Sequence, residues 1–260
     1  MNSKQQKLEA FSRLIDIMDE LRTKCPWDMK QTNESLRHLT IEETYELADA
    51  VLLNDKTEIK KELGDVLLHI VFYARIASET NDFDIADVMN SLCDKLINRH
   101  PHIYGNVKVE NAEQVKENWE QIKLKEGNKS VLSGVSKGIP SIVKAVRMQE
   151  KAAQVGFDWP TKNDVWAKVD EELSELKTEL NKDENAIECE NEFGDFLFSL
   201  INLARKYNIN PDDALEKTNL KFLNRFQYIE KKASESNKKL TDMTLGEMDV
   251  YWNEAKRSES

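Results

Sequence analysis

The sequence predicts an all-α fold, arranged as two similar helical-bundle domains in tandem. Apolar residues recur every three or four positions along most of the chain, and no stretch alternates with a period of two. The 260 residues include only 8 glycines and 5 prolines, so few tight turns are available for a sandwich, a barrel or a doubly wound sheet. Hydrophobic residues make up 40% of the chain, enough to form a core.

The helical pattern starts over residues 5–24, and Pro26 ends it. Residues 126–139 carry three glycines and three serines without a helical stripe, which indicates a linker. We therefore expect an N-terminal domain over 1–125 and a C-terminal domain over 140–260. Further helices are predicted over 33–54, 57–79, 84–98, 111–125, 140–155, 161–181, 183–207, 211–235 and 243–256.

An internal repeat relates the two predicted domains. Each half carries the acidic motif E-E-x-x-E followed by E-x-x-D; the offset is 129 residues from Glu43 to Glu172 and 130 from Glu62 to Glu192. Charged residues that recur in this way are not explained by core packing. The carboxylates are Glu43, Glu46, Glu62 and Asp65 in the first half and Glu172, Glu175, Glu192 and Asp195 in the second.

The spacing of these carboxylates predicts a metal site in each half. Residues three apart share a helix face, so two antiparallel helices would bring four carboxylates together. Such a cluster raises its pKa values or binds a cation, and an all-oxygen site suits Mg²⁺, with Mn²⁺ as a possible substitute. A single block could be a solvated helix face, but Asp65 and Asp195 adjoin strongly apolar helices, where a carboxylate needs a partner. Gly64 and Gly194 beside them suggest close approach of a backbone or a ligand.

Several local strings, together with the duplicated acidic motifs, resemble the MazG nucleoside triphosphate pyrophosphohydrolases. The strings are Cys25-Pro26-Trp27-Asp28, Arg99-His100-Pro101-His102, Gln149-Glu150-Lys151-Ala152 and Val155-Gly156-Phe157-Asp158-Trp159. The resemblance implies an all-α fold, usually a homodimer, that hydrolyses nucleoside triphosphates to the monophosphate and pyrophosphate with Mg²⁺. It also implies that water attacks the α-phosphorus.

The resemblance assigns Mg²⁺ ligation to the eight carboxylates named above. Glu171 and Glu42 fill the first acidic position of each motif, and a weaker role in orienting or deprotonating the attacking water is expected for them. Glu171, Glu172 and Glu175 are thus the predicted catalytic residues.

Basic and aromatic residues that recur in both halves predict contacts with the substrate. The pairs Lys221/Arg225 and Lys95/Arg99 each share a helical face and suit phosphate groups. Trp252, followed by Lys256, and its counterpart Trp119 would stack on a base or pack in the core. Lys168 lies one turn before Glu172, whereas Leu39 holds that place in the first half. The second half is therefore the better candidate for the active site.

Charge and composition limit the partners. A net charge of −11 argues against a nucleic-acid polymer as partner, since that requires a basic face. The longest apolar run, Val66–Ala74, is too short for a bilayer, so no membrane partner is expected. The N-terminus has no signal core, and the three cysteines form no C-x-x-C pair. These features favour the cytoplasm.

Two other functions remain open at this stage. The same bundle could be a non-catalytic module that senses nucleotides or binds a partner. A di-iron carboxylate bundle would require Glu-x-x-His on two helices, whereas this chain has His69 four residues after Asp65 and Ser199 at the matching place.

Overall fold

Helices form all the regular secondary structure of the described residues, which confirms the predicted all-α class. The computed structural model describes residues 1–111, 114, 115, 118, 119, 122, 130–182 and 186–258. It divides into two compact units, Met1–Trp119 and Glu120–Ser260. In the described ranges, no helix is both long enough and apolar enough to span a bilayer.

The first unit is built on three long helices. The helix α2 packs mainly against α3, to which it is joined by a three-residue turn, and α1 packs on α3. Buried Met18, Leu36, Val71 and Phe72 form the core between them. The helices are α1 (Lys4–Lys24), α2 (Asn33–Leu52), α3 (Lys56–Ser78), α4 (Ile85–Arg99) and the short α5 (Pro101–Tyr104), with a 3₁₀ turn at Asp28–Lys30.

The second unit repeats the central helix pair. The helix α7 packs mainly against α8, and α9 packs against α10. Val165, Val169 and Leu176 line the buried face of α7. The helices are α6 (Ser141–Gln154), α7 (Lys162–Leu180), α8 (Ala186–Lys206), α9 (Pro211–Glu235) and α10 (Leu245–Ser258), with 3₁₀ turns at Val131–Gly134 and Leu240–Asp242.

Asparagine ends several helices in this glycine-poor chain. Asn54, Asn81, Asn208 and Asn237 follow α2, α3, α8 and α9 with φ values of 55°, 58°, 56° and 52°. Asparagine adopts this left-handed conformation more readily than other non-glycine residues, because its short polar side chain hydrogen-bonds locally. Tight helical hairpins therefore form without glycine at the turn.

Most of the observed helices lie within a few residues of the predicted ranges. The predicted helix 111–125 lies largely outside the described residues, as do 126–129 of the predicted linker. The described part of that linker contains the Val131–Gly134 turn. The proposed domain limits stay a prediction.

Candidate metal centre and adjoining cavity

The helix pair α2–α3 brings three carboxylates of the first half together. Glu43 lies on α2, and Glu62 and Asp65 lie on α3; each offers one oxygen within 4.8 Å of the other two. Glu46 is exposed and lies outside this group. A helix turns about 100° per residue, so Glu46 points about 60° away from Glu43.

The second half repeats this arrangement on α7 and α8. Glu172, Glu192 and Asp195 each offer one oxygen within 4.8 Å of the others. Glu175 is exposed and lies outside the group, as Glu46 does in the first half. The structure thus gathers three of the four predicted carboxylates in each half, which we call the first trio and the second trio.

Both trios show the electrostatic strain of clustered anions. The pKa of Glu43 is raised mainly by desolvation, and repulsion from Asp65 and Glu46 adds to this effect. Desolvation, followed by repulsion from Glu175 and Asp195, raises the pKa of Glu192. Glu46 and Glu175 are therefore close enough to act electrostatically on the trios. A bound cation would relieve this repulsion.

The buried carboxylate of the first trio fits a divalent cation. Glu62 is 2% exposed, and its Oε1 accepts a hydrogen bond from Lys61 Nζ at 2.7 Å. Its Oε2 is buried without a hydrogen-bond partner in the described part of the chain. Burying an unsatisfied carboxylate oxygen is unfavourable, and oxygen-only donors suit Mg²⁺ or Mn²⁺.

In the second trio, a lysine already contacts the buried carboxylate. Lys168 Nζ lies 2.7 Å from Glu172 Oε1 and 2.9 Å from Glu171 Oε1. Hydrogen bonds to Glu172 and Glu171 raise the pKa of Lys168, so it stays positively charged. Glu172 is 7% exposed, whereas Glu171 is exposed and free to face solvent water.

The recurring basic and aromatic residues lie on other helices. In the second half, the Arg225 guanidinium lies 5.3 Å from the centre of the Trp252 ring, and Phe222 packs against the same ring at 5.3 Å. In the first half, Trp119 packs edge-on against His100 at 5.0 Å. Three of the remaining members of this set, Lys95, Lys221 and Lys256, are exposed on α4, α9 and α10, and the fourth, Arg99 at the end of α4, is half-buried.

A cavity of about 590 Å³ adjoins the second trio. Glu172, Asp195 and Lys168 border it, and the rest of its wall is mainly apolar. None of Lys221, Arg225, Trp252 and Lys256, all within the described ranges, lines it. The apolar and aromatic part of the wall includes Leu132, Met148, Ala152, Phe157, Trp159 and Phe198.

The loop at the mouth of this cavity is tied to the end of α8. Arg205 forms an ion pair with Asp158, and Lys206 Nζ lies 2.8 Å from Asp158 Oδ2. Desolvation raises the pKa of Asp158, but the hydrogen bonds and charges of Arg205 and Lys206 outweigh this effect and hold the pKa below its ordinary value. The sequence alone indicates no role for the string Val155–Trp159, because a cavity wall depends on tertiary packing.

His69, the histidine of the di-iron alternative, lies outside the first trio. It is buried, and its Nδ1 lies 2.9 Å from Thr40 Oγ1, which also contacts the Tyr73 hydroxyl at 2.7 Å. Its counterpart Ser199 hydrogen-bonds the Phe196 carbonyl. His69 therefore belongs to a partly buried polar network and is not one of the clustered ligand groups.

Comparison with known proteins now adds to this geometry. The pattern described as a MazG nucleotide pyrophosphohydrolase domain matches residues 31–104, which contain the whole first trio. The chain is 43% identical over 251 residues to the nucleoside triphosphate pyrophosphohydrolase/pyrophosphatase MazG of Thermotoga maritima, and the match covers 95% of each chain. The chain belongs to the MazG family. It is therefore a hydrolase acting on acid anhydrides, as the resemblance predicted.

A second curated relative also matches nearly the full length of the chain. The nucleoside triphosphate pyrophosphohydrolase of Escherichia coli K12 is 37% identical over 260 residues, covering 97% of this chain and 99% of the relative. A solved MazG-related protein from Thermotoga maritima is 27% identical and covers 44% of this chain and 98% of its own, with a TM-score of 0.39. The full-length matches are consistent with a tandem arrangement.

Proposed function

We propose that this MazG protein hydrolyses nucleoside triphosphates, both ribo- and deoxy-, to the nucleoside monophosphate and pyrophosphate in a Mg²⁺-dependent reaction. The observation that carries the proposal is the convergence of three carboxylates at matching places in each half, one of them buried. The similarity to relatives named nucleoside triphosphate pyrophosphohydrolases supports the choice of substrate.

In the second half, the ion would be held by Glu172, Glu192 and Asp195, with Glu175 beside them. In the first half, it would be held by the first trio, with Glu46 beside it. When bound, Mg²⁺ neutralises phosphate charge and makes a coordinated water more acidic.

The residues around the second trio would handle the proton and the phosphates. Glu171 would orient the attacking water and accept its proton on a carboxylate oxygen. The bond from the water oxygen to the α-phosphorus forms, and the bond from the α-phosphorus to the bridging oxygen breaks. Lys168 is placed to exchange its carboxylate partners for phosphate oxygens, which are more strongly anionic.

Lys221, Arg225 and Lys256 are proposed to bind the pyrophosphate portion, with Trp252 orienting Arg225 through the contact between their side chains. Stacking of Trp252 on a base stays a prediction. Lys95, Arg99 and Trp119 are the matching proposal for the first half.

The two halves would differ in activity. Lys168 contacts Glu171 and Glu172 in the second half. The first half has Leu39 at that position and so lacks the corresponding cation. We propose that the second half turns over substrate and that the first half binds metal or nucleotide without hydrolysis.

We also propose a homodimer, and a cytoplasmic setting in which the free thiols Cys25, Cys93 and Cys189 stay reduced.

A product assay tests this function. The full chain is incubated with ATP, GTP and the deoxynucleotides, with Mg²⁺ or with EDTA, and the products are separated by chromatography. We expect monophosphate and pyrophosphate in Mg²⁺ only; diphosphate plus inorganic phosphate would contradict the proposal. Glu172→Gln should lower kcat by about 100-fold or more, while the matched variant Glu43→Gln should leave it within about three-fold.

Equal loss in both variants would refute the division of labour between the halves but not the reaction. Full activity in Glu172→Gln would refute the site.

A further inference from the structure

The cavity beside the second trio has the size and lining of a site for a flat, largely apolar group. Its volume of about 590 Å³ lies within the range of ligand sites. Phe157, Trp159 and Phe198 contribute aromatic rings to its wall, and aromatic rings stack on nucleobases of any sequence. The carboxylates that would hold the phosphate end border the same cavity, so a bound nucleotide could direct its base into it.

One buried amide in the cavity wall is only half satisfied. Gln149 is 7% exposed, and its Nε2 donates a hydrogen bond to the Phe198 carbonyl at 2.9 Å. A carbonyl oxygen can only accept, so this bond fixes which end of the amide faces Phe198. The other end, Oε1, is buried and lacks a hydrogen-bond partner among the described residues.

An unsatisfied buried acceptor calls for a donor. Trp159, Ser199, Asn202 and Lys168 share the cavity wall and carry N–H or O–H groups, but none of them donates to Oε1 in the described structure. The acidic residues of the wall are acceptors as well when ionised. Among the parts of a nucleotide, the phosphates carry no donor when ionised, and a ribose would bring several hydroxyl groups to an apolar wall. An exocyclic amino group supplies N–H donors at the edge of a base whose faces are flat and apolar.

We propose that this cavity, and not the face of Trp252, which does not line it, receives the nucleobase of the substrate. Gln149 Oε1 would accept a hydrogen bond from the exocyclic amino group of that base. This inference rests on the proposed function and deepens it. It predicts a preference for nucleotides that carry an amino group over those that lack one, and it makes Gln149 a specificity-determining residue. The ion pairs of Asp158 with α8 and the hydrogen bond from Lys206 Nζ to the Trp159 carbonyl fix the backbone at these two residues, beside the proposed stacking site.

The test uses substrate pairs that differ by one amino group. They are ATP against purine riboside triphosphate, and GTP against ITP. For the full-length wild-type chain, kcat/KM should favour the amino member of at least one pair by about ten-fold, which is the contribution of one neutral hydrogen bond. Gln149→Leu should bring that ratio within about two-fold, whereas Gln154→Leu, at the exposed end of the same helix, should leave it unchanged.

Binding gives a second readout that does not depend on turnover. Calorimetry with AMP and purine riboside monophosphate, without added metal, should show the same preference in wild type and its loss in Gln149→Leu. Ratios within two-fold in wild type for both pairs and for binding would overturn the inference, even if Gln149→Leu failed to fold. A wild-type preference that survives in a folded Gln149→Leu variant would also overturn it.

The inference and the proposed function fail separately. A chain that yields monophosphate and pyrophosphate from every substrate at equal rates retains the function and loses the inference. A chain that yields no monophosphate loses the function, and the AMP binding comparison then decides the role of Gln149.

Discussion

Glu62→Gln tests whether a cation belongs among the clustered carboxylates. Glu62 is 2% exposed and has one oxygen without a hydrogen-bond partner in the described structure. Such an oxygen destabilises the native state by about 1–3 kcal/mol, whereas the ion pair to the exposed Lys61 stabilises it by at most about 1 kcal/mol. The neutral amide would also donate to Glu43 or Asp65. In EDTA, we therefore expect the free energy of unfolding to rise by about 1–2 kcal/mol.

Adding metal should reverse the order of stability. At a free Mg²⁺ concentration about 100 times Kd, wild type gains about 2.7 kcal/mol, and Glu62→Gln should gain much less because a ligand has been removed. Thermal unfolding followed by circular dichroism, with EDTA and with Mg²⁺, measures both effects. The control is Glu58→Gln, one turn earlier on α3, since Glu58 is exposed and also lies near Lys61, at 3.8 Å.

The control should behave like wild type in both buffers. The reasoning is refuted if wild type gains no stability from Mg²⁺ or Mn²⁺, or if Glu62→Gln is less stable than wild type in EDTA while Glu58→Gln is not.

Three further predictions follow from the charges around the sites. The raised pKa values of Glu43 and Glu192 mean that the native state binds more protons than the unfolded state just above the ordinary carboxyl pKa. Without metal, the free energy of unfolding should therefore fall as the pH rises through that window. The affinity for Mn²⁺, measured by electron paramagnetic resonance, should increase from about pH 5 to about pH 8, and an affinity that does not change with pH would contradict this. Lys168→Met removes the cation 2.7 Å from Glu172 Oε1, so Mn²⁺ should bind the second trio about two- to five-fold more tightly; calorimetry showing weaker binding would be the opposite result. Asp158→Asn weakens the ties to Arg205 and Lys206, and should lower the free energy of unfolding by about 1–2 kcal/mol and raise KM more than it lowers kcat in steady-state assays.

The sequence was sufficient to predict the helices that carry the carboxylates, for a local reason. Apolar periodicity sets which face of a helix is buried, and the two acidic motifs fall on helices that pack together in each half. It did not distinguish Glu43 from Glu46, because both lie near the same face and only the angle between the packed helices decides which carboxylate joins the trio.

The cavity depends on contacts that no local pattern contains. Gln149 on α6 reaches the Phe198 carbonyl on α8, 49 residues away along the chain. In the sequence alone, the apolar residues that line the cavity cannot be distinguished from ordinary core residues. A half-satisfied amide is visible only once the tertiary structure shows which partners each of its atoms has.

Gly64 and Gly194, beside the aspartates of the two trios, bear on the proposed homodimer. A Cβ atom added at Gly64 or Gly194 would meet nothing within 4 Å, so no backbone among the described residues approaches either glycine closely. Close approach of a ligand, the other alternative expected from the sequence, stays a prediction. Each glycine nevertheless destabilises its helix by about 1 kcal/mol relative to alanine. Exposed apolar side chains flank both positions: Leu63 and Leu67 are 53% and 37% exposed, and Phe193 and Leu197 are 53% and 44% exposed. Open space beside an apolar stripe suits close packing of another helix, which is what a second copy of the chain would supply next to each trio.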